Sequence, residues 1–462
     1  MTEKFNLKKF IGLVAAIALP VALQNLLSTT GSMVDTMMIS SVGKTHVAAV
    51  GQCTQFASLL FSSYWGFVGG GMLFFGQYWG AKDEHGLVRS YGIMLCCMMF
   101  MGFLFSTAAL VFPGFVMDIY TDKADIRQIG IEYLSIVGFA YPMQVLSIGM
   151  SSLLRTTDRV RIPLYAAIAS VCTNLFFNWV FIFGNLGAPE MGVRGAAVAT
   201  TIAAFVNMTL IMLLAKASGY NYLFMISGFF KWDKEFIKLF LKKCFPIIVN
   251  ELLAGVGNLI IAVVFGRQSQ DAQAAMAVFR TFEGLVIGFF AGFSNAASVL
   301  VGTCVGAGEI EVAYQRAKRL VFLCQGCIFT VAAIMLAIHS PLLHWMNLDG
   351  DSYYYGTGML IIYGISAVIR MGNWTMNDSY RSAGDATTGT VMEIAFMYVV
   401  VIPAVCISGL LLKAPVLVIF LCCYIDEPIR YIFMQRHMYS GKWIRPVTPE
   451  GLKGLEKWKA GR

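Results

Sequence analysis

Residues 20–31 read PVALQNLLSTTG, and residues 246–257 read PIIVNELLAGVG. The two stretches lie 226 positions apart, and under that shift Pro20 falls on Pro246, Leu26–Leu27 on Leu252–Leu253 and Gly31 on Gly257. The register continues outward without a gap. Ala48–Ala49 fall on Ala274–Ala275, Phe56 on Phe282, Gly66–Phe67 on Gly292–Phe293, Gly76 on Gly302 and Gly80–Ala81 on Gly306–Ala307, so that 13 of the 62 columns from 20 to 81 are identical. The same shift later puts Gly138 on Gly364 and Arg155 on Arg381. A fixed offset held over this length marks a duplicated structural unit, and the fold is two copies of whatever one copy is.

Composition says what one copy is. Of the 462 residues 58% are apolar and 13% charged, against about 25% charged in an average soluble domain. The apolar residues come in runs long enough for a bilayer, which needs about 20 residues per helix. Between polar breaks there are twelve such spans, near 10–40, 47–79, 87–113, 127–155, 161–184, 192–216, 235–266, 273–305, 314–340, 353–382, 388–411 and 415–438. The expectation is an all-α integral membrane protein with twelve transmembrane helices in two pseudo-symmetric six-helix lobes. The N-lobe covers 1–216, a cytoplasmic linker 217–234, the C-lobe 235–440 and a basic cytoplasmic tail 441–462.

Lysine and arginine set the orientation. With the N-terminus inside, the inner segments hold 26 of the 34: Lys4, Lys8 and Lys9, Lys82 and Arg89, Arg155, Arg159 and Arg161, six from Lys216 to Lys243, Arg316, Lys318 and Arg319, Arg381, and eight from Arg430 onward. The outer loops hold six and two lie within spans. Both termini are therefore expected in the cytoplasm, with the protein multi-pass in the cell membrane. The formal charge of +8 follows from these loops and calls for no nucleic-acid partner. The first apolar run is too long for a signal-peptide core and is expected to remain as the first span. Eleven cysteines lie mostly in apolar runs; Cys324 and Cys327 form a CxxC without the βαβ setting of a redox motif.

Two halves with parallel orientation, related by an axis along the membrane normal, characterise alternating-access carriers, and ionisable groups in their spans are functional candidates. Asp35 lies in span 1. Asn174 and Asn178, four apart on one helix face, lie in span 5, and Thr200 lies in span 6. All but Asn174 sit roughly 9–12 Å below the outer surface at ~1.5 Å per residue, where they can form a cation site. In the C-lobe Glu251, Glu283 and Arg370 fall near mid-depth as coupling or substrate residues. Arg280, three residues before Glu283, reads as its structural ion-pair partner. Glu393 and Asp378, nearer the inner ends, read as structural, and Asp426 and Glu427 as partners of Arg430. No enzyme motif is present, and no cofactor is expected.

These residues carry a resemblance. PVALQN followed by Val34-Asp35-Thr36, the stretch from Thr173 to Gly184, the stretch from Gly192 to Thr200, FPIIVNE ending at Glu251, VGTCVGAG from Val301 to Gly308, and Arg381-Ser-Ala-Gly384-Asp385 together resemble the multidrug and toxic compound extrusion family along nearly the whole chain. The resemblance implies secondary active antiport through a V-shaped pair of lobes. Bulky, often cationic drugs or xenobiotics would be exported in exchange for H⁺ or Na⁺. Asp35, Asn174, Asn178 and Thr200 would be the coupling site, with Na⁺ held at Asp35, Asn174 and Asn178. Glu251 matches a carboxylate used in part of the family. Some members have Asp at the position of Asn178, and the N-lobe counterpart of the Arg381 motif reads Arg155-Thr-Thr-Asp158, without the glycine. The expected partners are small amphipathic or cationic substrates and membrane lipid, with the monomer as the working unit. The alternative reading is a flippase for lipid-linked saccharides.

Overall fold

The computed structural model describes residues 7–346 and 348–461; Lys4 and Arg462, counted above among the inner charges, lie outside them. The first half contains α1 Leu7–Ser40, α2 Lys44–Gly80, α3 Glu84–Val111, α4 Pro113–Tyr120, α5 Ala124–Val137, α6 Ala140–Thr156, α7 Arg161–Phe183 and α8 Val193–Ala217. The short α9 Ile226–Phe229 follows. Then come α10 Lys234–Gly266, α11 Gln270–Gly306, α12 Ile310–Ala337, α13 His339–Trp345, α14 Gly350–Ser382, α15 Thr388–Phe396, α16 Ile402–Cys406, α17 Val416–Cys422, α18 Glu427–Ser440 and α19 Pro449–Ala460. Among the described residues the only β feature is an isolated bridge between Gly384 and Ile444.

Nine helical segments among the described residues are long and apolar enough to cross a membrane, and α5 with α6, bent by 52° at their break, makes a tenth. The other two expected spans differ from simple apolar helices. Residues 353–382 lie in the 33-residue α14, about 50 Å long at 1.5 Å per residue, in which Arg370, Asn373, Asn377 and Asp378 dilute the apolar run. Residues 415–438 are split into α17 and α18 by turns at 423–426. Pro428 stands in the first turn of α18, where the absent N–H costs nothing and the fixed φ suits a helix start.

The described residues form two compact units, one of residues 19–75 and 84–240 and one of residues 7–18, 76–83 and 241–461. In the first, α7 ends on Gly184 at φ +67°, a left-handed cap that glycine adopts without a Cβ penalty. The chain doubles back, Met191 N–H donates to Phe181 C=O at 2.9 Å, and α8 packs so closely on α7 that a Cβ at Gly195 would stand 2.6 Å from the Phe181 carbonyl. Residues 217–234 are anchored to the same unit: Phe229 stacks edge-on against Tyr91 with ring centroids 5.2 Å apart.

The second unit is built around Tyr380, Trp443, Met376, Val305 and Ile444, all buried. Residues 441–461, expected as a basic tail, are folded into it. Arg445 N–H donates to Ala383 C=O at 2.9 Å. The Gln77 side chain, wholly buried, donates to Ser382 C=O at 3.0 Å and accepts from Val447 N–H at 2.7 Å. Thr448 donates to Gly306 C=O at 2.8 Å and caps α19 by accepting from Gly451 N–H.

Candidate functional site

The α7–α8 hairpin fixes two walls of the first polar site, and α1 supplies the third. Asn178 Nδ2 donates to Asp35 Oδ1 and lies 3.3 Å from Asn174 Oδ1, while Asn174 Nδ2 is 3.5 Å from Thr200 Oγ1. All four residues expected from sequence thus meet in one unit. Turning the Asn174 amide over would put its nitrogen 2.7 and 3.2 Å from the two Asp35 oxygens. In that orientation the Asn174 amide donates to the Asp35 carboxylate, and the contact is satisfied. Asn178 Oδ1 is buried and without a partner. An orphaned amide oxygen beside a carboxylate and a second amide is a hard-oxygen donor set, and it fits a small cation such as Na⁺. Tyr133 of α5 faces Thr200 and Asp35; its pattern offered no ionic signal in the sequence. One turn along α1, Ile39 joins Ile182, Val193 and Ala196 in an apolar cluster that covers this end of the site.

Below Asp35 along α1, the same unit forms a partly open cavity of about 350 Å³. Its polar lining is amide and hydroxyl: Gln24, Ser28, Tyr64, Gln144, Ser170 and Asn207. This is within the volume range of small-molecule sites, and its mix of apolar wall and few polar groups is theirs too.

In the second unit the structure separates residues that the sequence grouped. Glu283 is buried between Arg370 at 2.7 Å and Arg280 at 3.2 Å, and Tyr424 Oη lies 3.4 Å away. Arg370 also reaches Glu427 at 3.8 Å, and Glu427 pairs with Arg430 at 2.7 Å, with Asp426 3.6 Å from the same guanidinium. Three arginines thus face three carboxylates, a balanced network that leaves no charge for a ligand.

Glu251 stands elsewhere, in the field of Arg381, Glu393 and Asp378. Asp378 is 3.9 Å from Arg381, and Glu393 accepts from Asn250 at 3.4 Å and Asn377 at 3.2 Å. Here three carboxylates gather around Arg381, and Glu393 also lies in the field of Arg430. Asp378 and Glu393, read from sequence as structural, belong with Glu251. Depth along separate helices could not reveal this, because the angular position of each helix is fixed only by packing. Among the described residues no three His, Cys, Asp or Glu side chains converge as a metal-holding group, and Cys324 and Cys327 are free thiols.

A helical membrane protein with a twofold-repeated chain, buried polar clusters in its spans and a partly open cavity among them has the features of a transporter. The MatE family model matches it twice, at residues 20–180 and 246–407, the two matches starting 226 residues apart at Pro20 and Pro246. The chain belongs to the multidrug and toxic compound extrusion family of membrane transporters. It is 24% identical over 388 residues to "Probable multidrug resistance protein YoeA" of Bacillus subtilis, covering 83% of this chain and 84% of that protein. It is likewise 24% identical over 310 residues to "Probable multidrug resistance protein NorM" of Thermotoga maritima, covering 66% of each chain. Among solved structures, a mutant of the Vibrio cholerae MATE transporter VcmN superposes with a TM-score of 0.85 at 14% identity, covering 95% of this chain and 99% of that one. At that identity the likeness speaks for the fold.

Proposed function

We propose that this protein is a secondary active antiporter that exports bulky amphipathic or cationic compounds in exchange for H⁺ or Na⁺. It works as a monomer by alternating access of two lobes, with both termini in the cytoplasm. The observation that carries this reading is the convergence of Asp35, Asn174, Asn178 and Thr200 around one carboxylate. An ionised Asp35 favours a cationic substrate through the low-dielectric interior, where a charge acts far more strongly than in water. A proton or Na⁺ arriving from outside neutralises it, weakens substrate binding and biases the equilibrium between the two facing states. To move that equilibrium from 1:99 to 99:1 the ion needs a differential affinity of about 5.5 kcal/mol. The acidic cluster of Glu251, Asp378 and Glu393 supplies a second place for the coupling ion. The names of the relatives support a multidrug substrate range.

The test is dye efflux from proteoliposomes with ΔpH and the Na⁺ gradient imposed separately. One of the two gradients should drive efflux against a concentration difference. Dye movement that ignores both gradients would sink the antiport reading.

A further inference from the structure

Helix α2 changes unit at its end: residues 44–75 belong to the first unit and residues 76–83 to the second. Residues 441–461 help to hold that end. Gln77, wholly buried, donates to Ser382 C=O at the end of α14 and accepts from Val447 N–H. Thr448 donates to Gly306 C=O at the end of α11. One segment after α18 thus ties together the ends of α2, α11 and α14.

The repeat shows that the second unit is shaped to receive this segment. Asp83 N–H donates to Tyr78 C=O at 3.0 Å after α2, and 226 residues on Glu309 N–H donates to Cys304 C=O at 2.9 Å after α11. Arg159 N–H to Leu154 C=O and Asp385 N–H to Tyr380 C=O form another such pair, both at 2.8 Å. The two copies therefore fold the same two turns, each with one residue at positive φ. The first copy uses Lys82 at +57° and Asp158 at +62°, both exposed; the second uses Gly308 at +81° and Gly384 at +100°.

Glycine suits a left-handed turn, but the first copy closes both turns with side chains, so the turns alone do not demand it. The approach of the C-terminal segment does. A Cβ at Gly384 would stand 1.9 Å from the Arg445 carbonyl oxygen, and one at Gly308 would stand 2.7 Å from the Glu450 carbonyl oxygen. The two glycines are the notches in which residues 445–450 lie.

We infer that residues 441–461 are a latch on the ends of α2 and α11. Docked, the segment holds these last turns together, backbone against backbone at Gly80 and Gly306, and keeps the cytoplasmic side shut. Its release lets them part and admits substrate from the cytoplasm. This rests on the alternating-access reading and adds to it the element that sets how often the inner side opens.

The test combines hydrogen–deuterium exchange of the purified full chain in detergent with ethidium uptake into everted membrane vesicles. Gly308→Lys gives the second copy the residue that the first carries in the same turn, and so fills one notch. Thr448→Val keeps the side-chain shape and removes the hydroxyl; it serves where Gly308→Lys does not fold. Losing one or two buried hydrogen bonds shifts an opening equilibrium about tenfold. Exchange at residues 76–83 and 303–308 should therefore quicken about tenfold in either variant, with α7 unchanged as the internal control. The apparent KM for ethidium should fall by a similar factor, because the state open to the cytoplasm is populated more often. Exchange at residues 76–83 that stays as in the wild type, or that quickens while KM does not move, overturns the latch. A wild type that takes up no ethidium under either gradient removes the efflux reading on its own, and exchange at residues 76–83 still decides whether the segment holds α2.

Discussion

Gly80 and Gly306 occupy equivalent positions of the repeat and make the same contact in opposite directions. A Cβ at Gly80 would stand 1.9 Å from the Thr303 carbonyl oxygen, and a Cβ at Gly306 would stand 1.9 Å from the Gln77 carbonyl oxygen. Gln77 and Thr303 are themselves 226 residues apart, and Gly76 and Gly302 also face each other at this crossing. The last turn of α2 therefore crosses the last turn of α11 backbone to backbone, a local twofold axis written in glycine. Close approach of this kind is how helices associate in a membrane, where lipid removes the hydrophobic drive.

Either glycine replaced by alanine must push two backbones apart. Gly80→Ala and Gly306→Ala should each cost about 1–3 kcal/mol, read as a lower melting temperature in detergent. The double variant should cost less than the sum, since one displacement relieves both contacts. Gly12, with nothing within 4 Å of its would-be Cβ, is the control: Gly12→Ala should be neutral or stabilising by up to about 1 kcal/mol through helix propensity. Equal melting temperatures for Gly12→Ala and Gly80→Ala would contradict the crossing.

How much of this was legible depends on what sequence encodes locally. The duplication, the helical spans and the Asp35 set were readable, because hydropathy, offset and depth are properties of one helix at a time. The break at 423–426 had a signal, Pro428 directly after Asp426 and Glu427, which a continuous apolar span would not carry. The packing of residues 441–461 also had one, since Trp443, Ile444 and Val447 interrupt an otherwise basic stretch. The separation of Glu251 from Glu283 had none. Both lie near mid-depth, and only the rotation of α10 and α11 within the bundle decides which arginine each meets.

That separation makes opposite predictions for the two glutamates. Glu283→Gln breaks a buried, balanced network and leaves Arg280 and Arg370 short of a charge, which should cost about 3–5 kcal/mol. Melting in detergent reads this directly. Glu251→Gln removes one of three carboxylates that gather around Arg381, so the fold should be kept and efflux of cationic dye reduced at least ~10-fold, as one lost charge–charge contact implies. Normal transport by Glu251→Gln would make that residue structural.

Asp385, in the loop after α14, gives a pH prediction. It is fully buried, which alone would raise its pKa. His437 at 2.9 Å, Thr388 at 2.7 Å and Arg445 at 3.2 Å outweigh burial and hold it below the ordinary 3.8. A depressed carboxylate stabilises the fold at every pH above its unfolded value. That stabilisation is lost only as the pH falls below about 3.8 and through the lower folded value. Asp385→Asn should therefore lower stability by about 3 kcal/mol at neutral pH, and the gap from wild type should close as the pH falls below about 3.8. A gap that grew as the pH fell below about 3.8 would have the sign wrong.

Asp35 is the residue on which the coupling reading turns. Its carboxylate accepts from Asn178 and is within reach of a turned Asn174 amide. Asparagine at this position keeps the shape and one acceptor, so a purely structural Asp35 would make Asp35→Asn nearly silent. Coupling makes the same change severe, because an amide neither takes up a proton at physiological pH nor offers a negative charge to Na⁺. Asp35→Asn should fold, reach the membrane and lose gradient-driven efflux by at least ~100-fold, the loss of about 2.7 kcal/mol of ion-dependent bias. Asp35→Glu, which restores the charge one methylene further out, should recover part of the rate with a shifted pH or Na⁺ dependence. The discriminating measurement is efflux in proteoliposomes at matched protein density. Wild-type rates from Asp35→Asn under either gradient would remove Asp35 from the coupling site and leave the acidic cluster around Arg381 as the place where the ion acts.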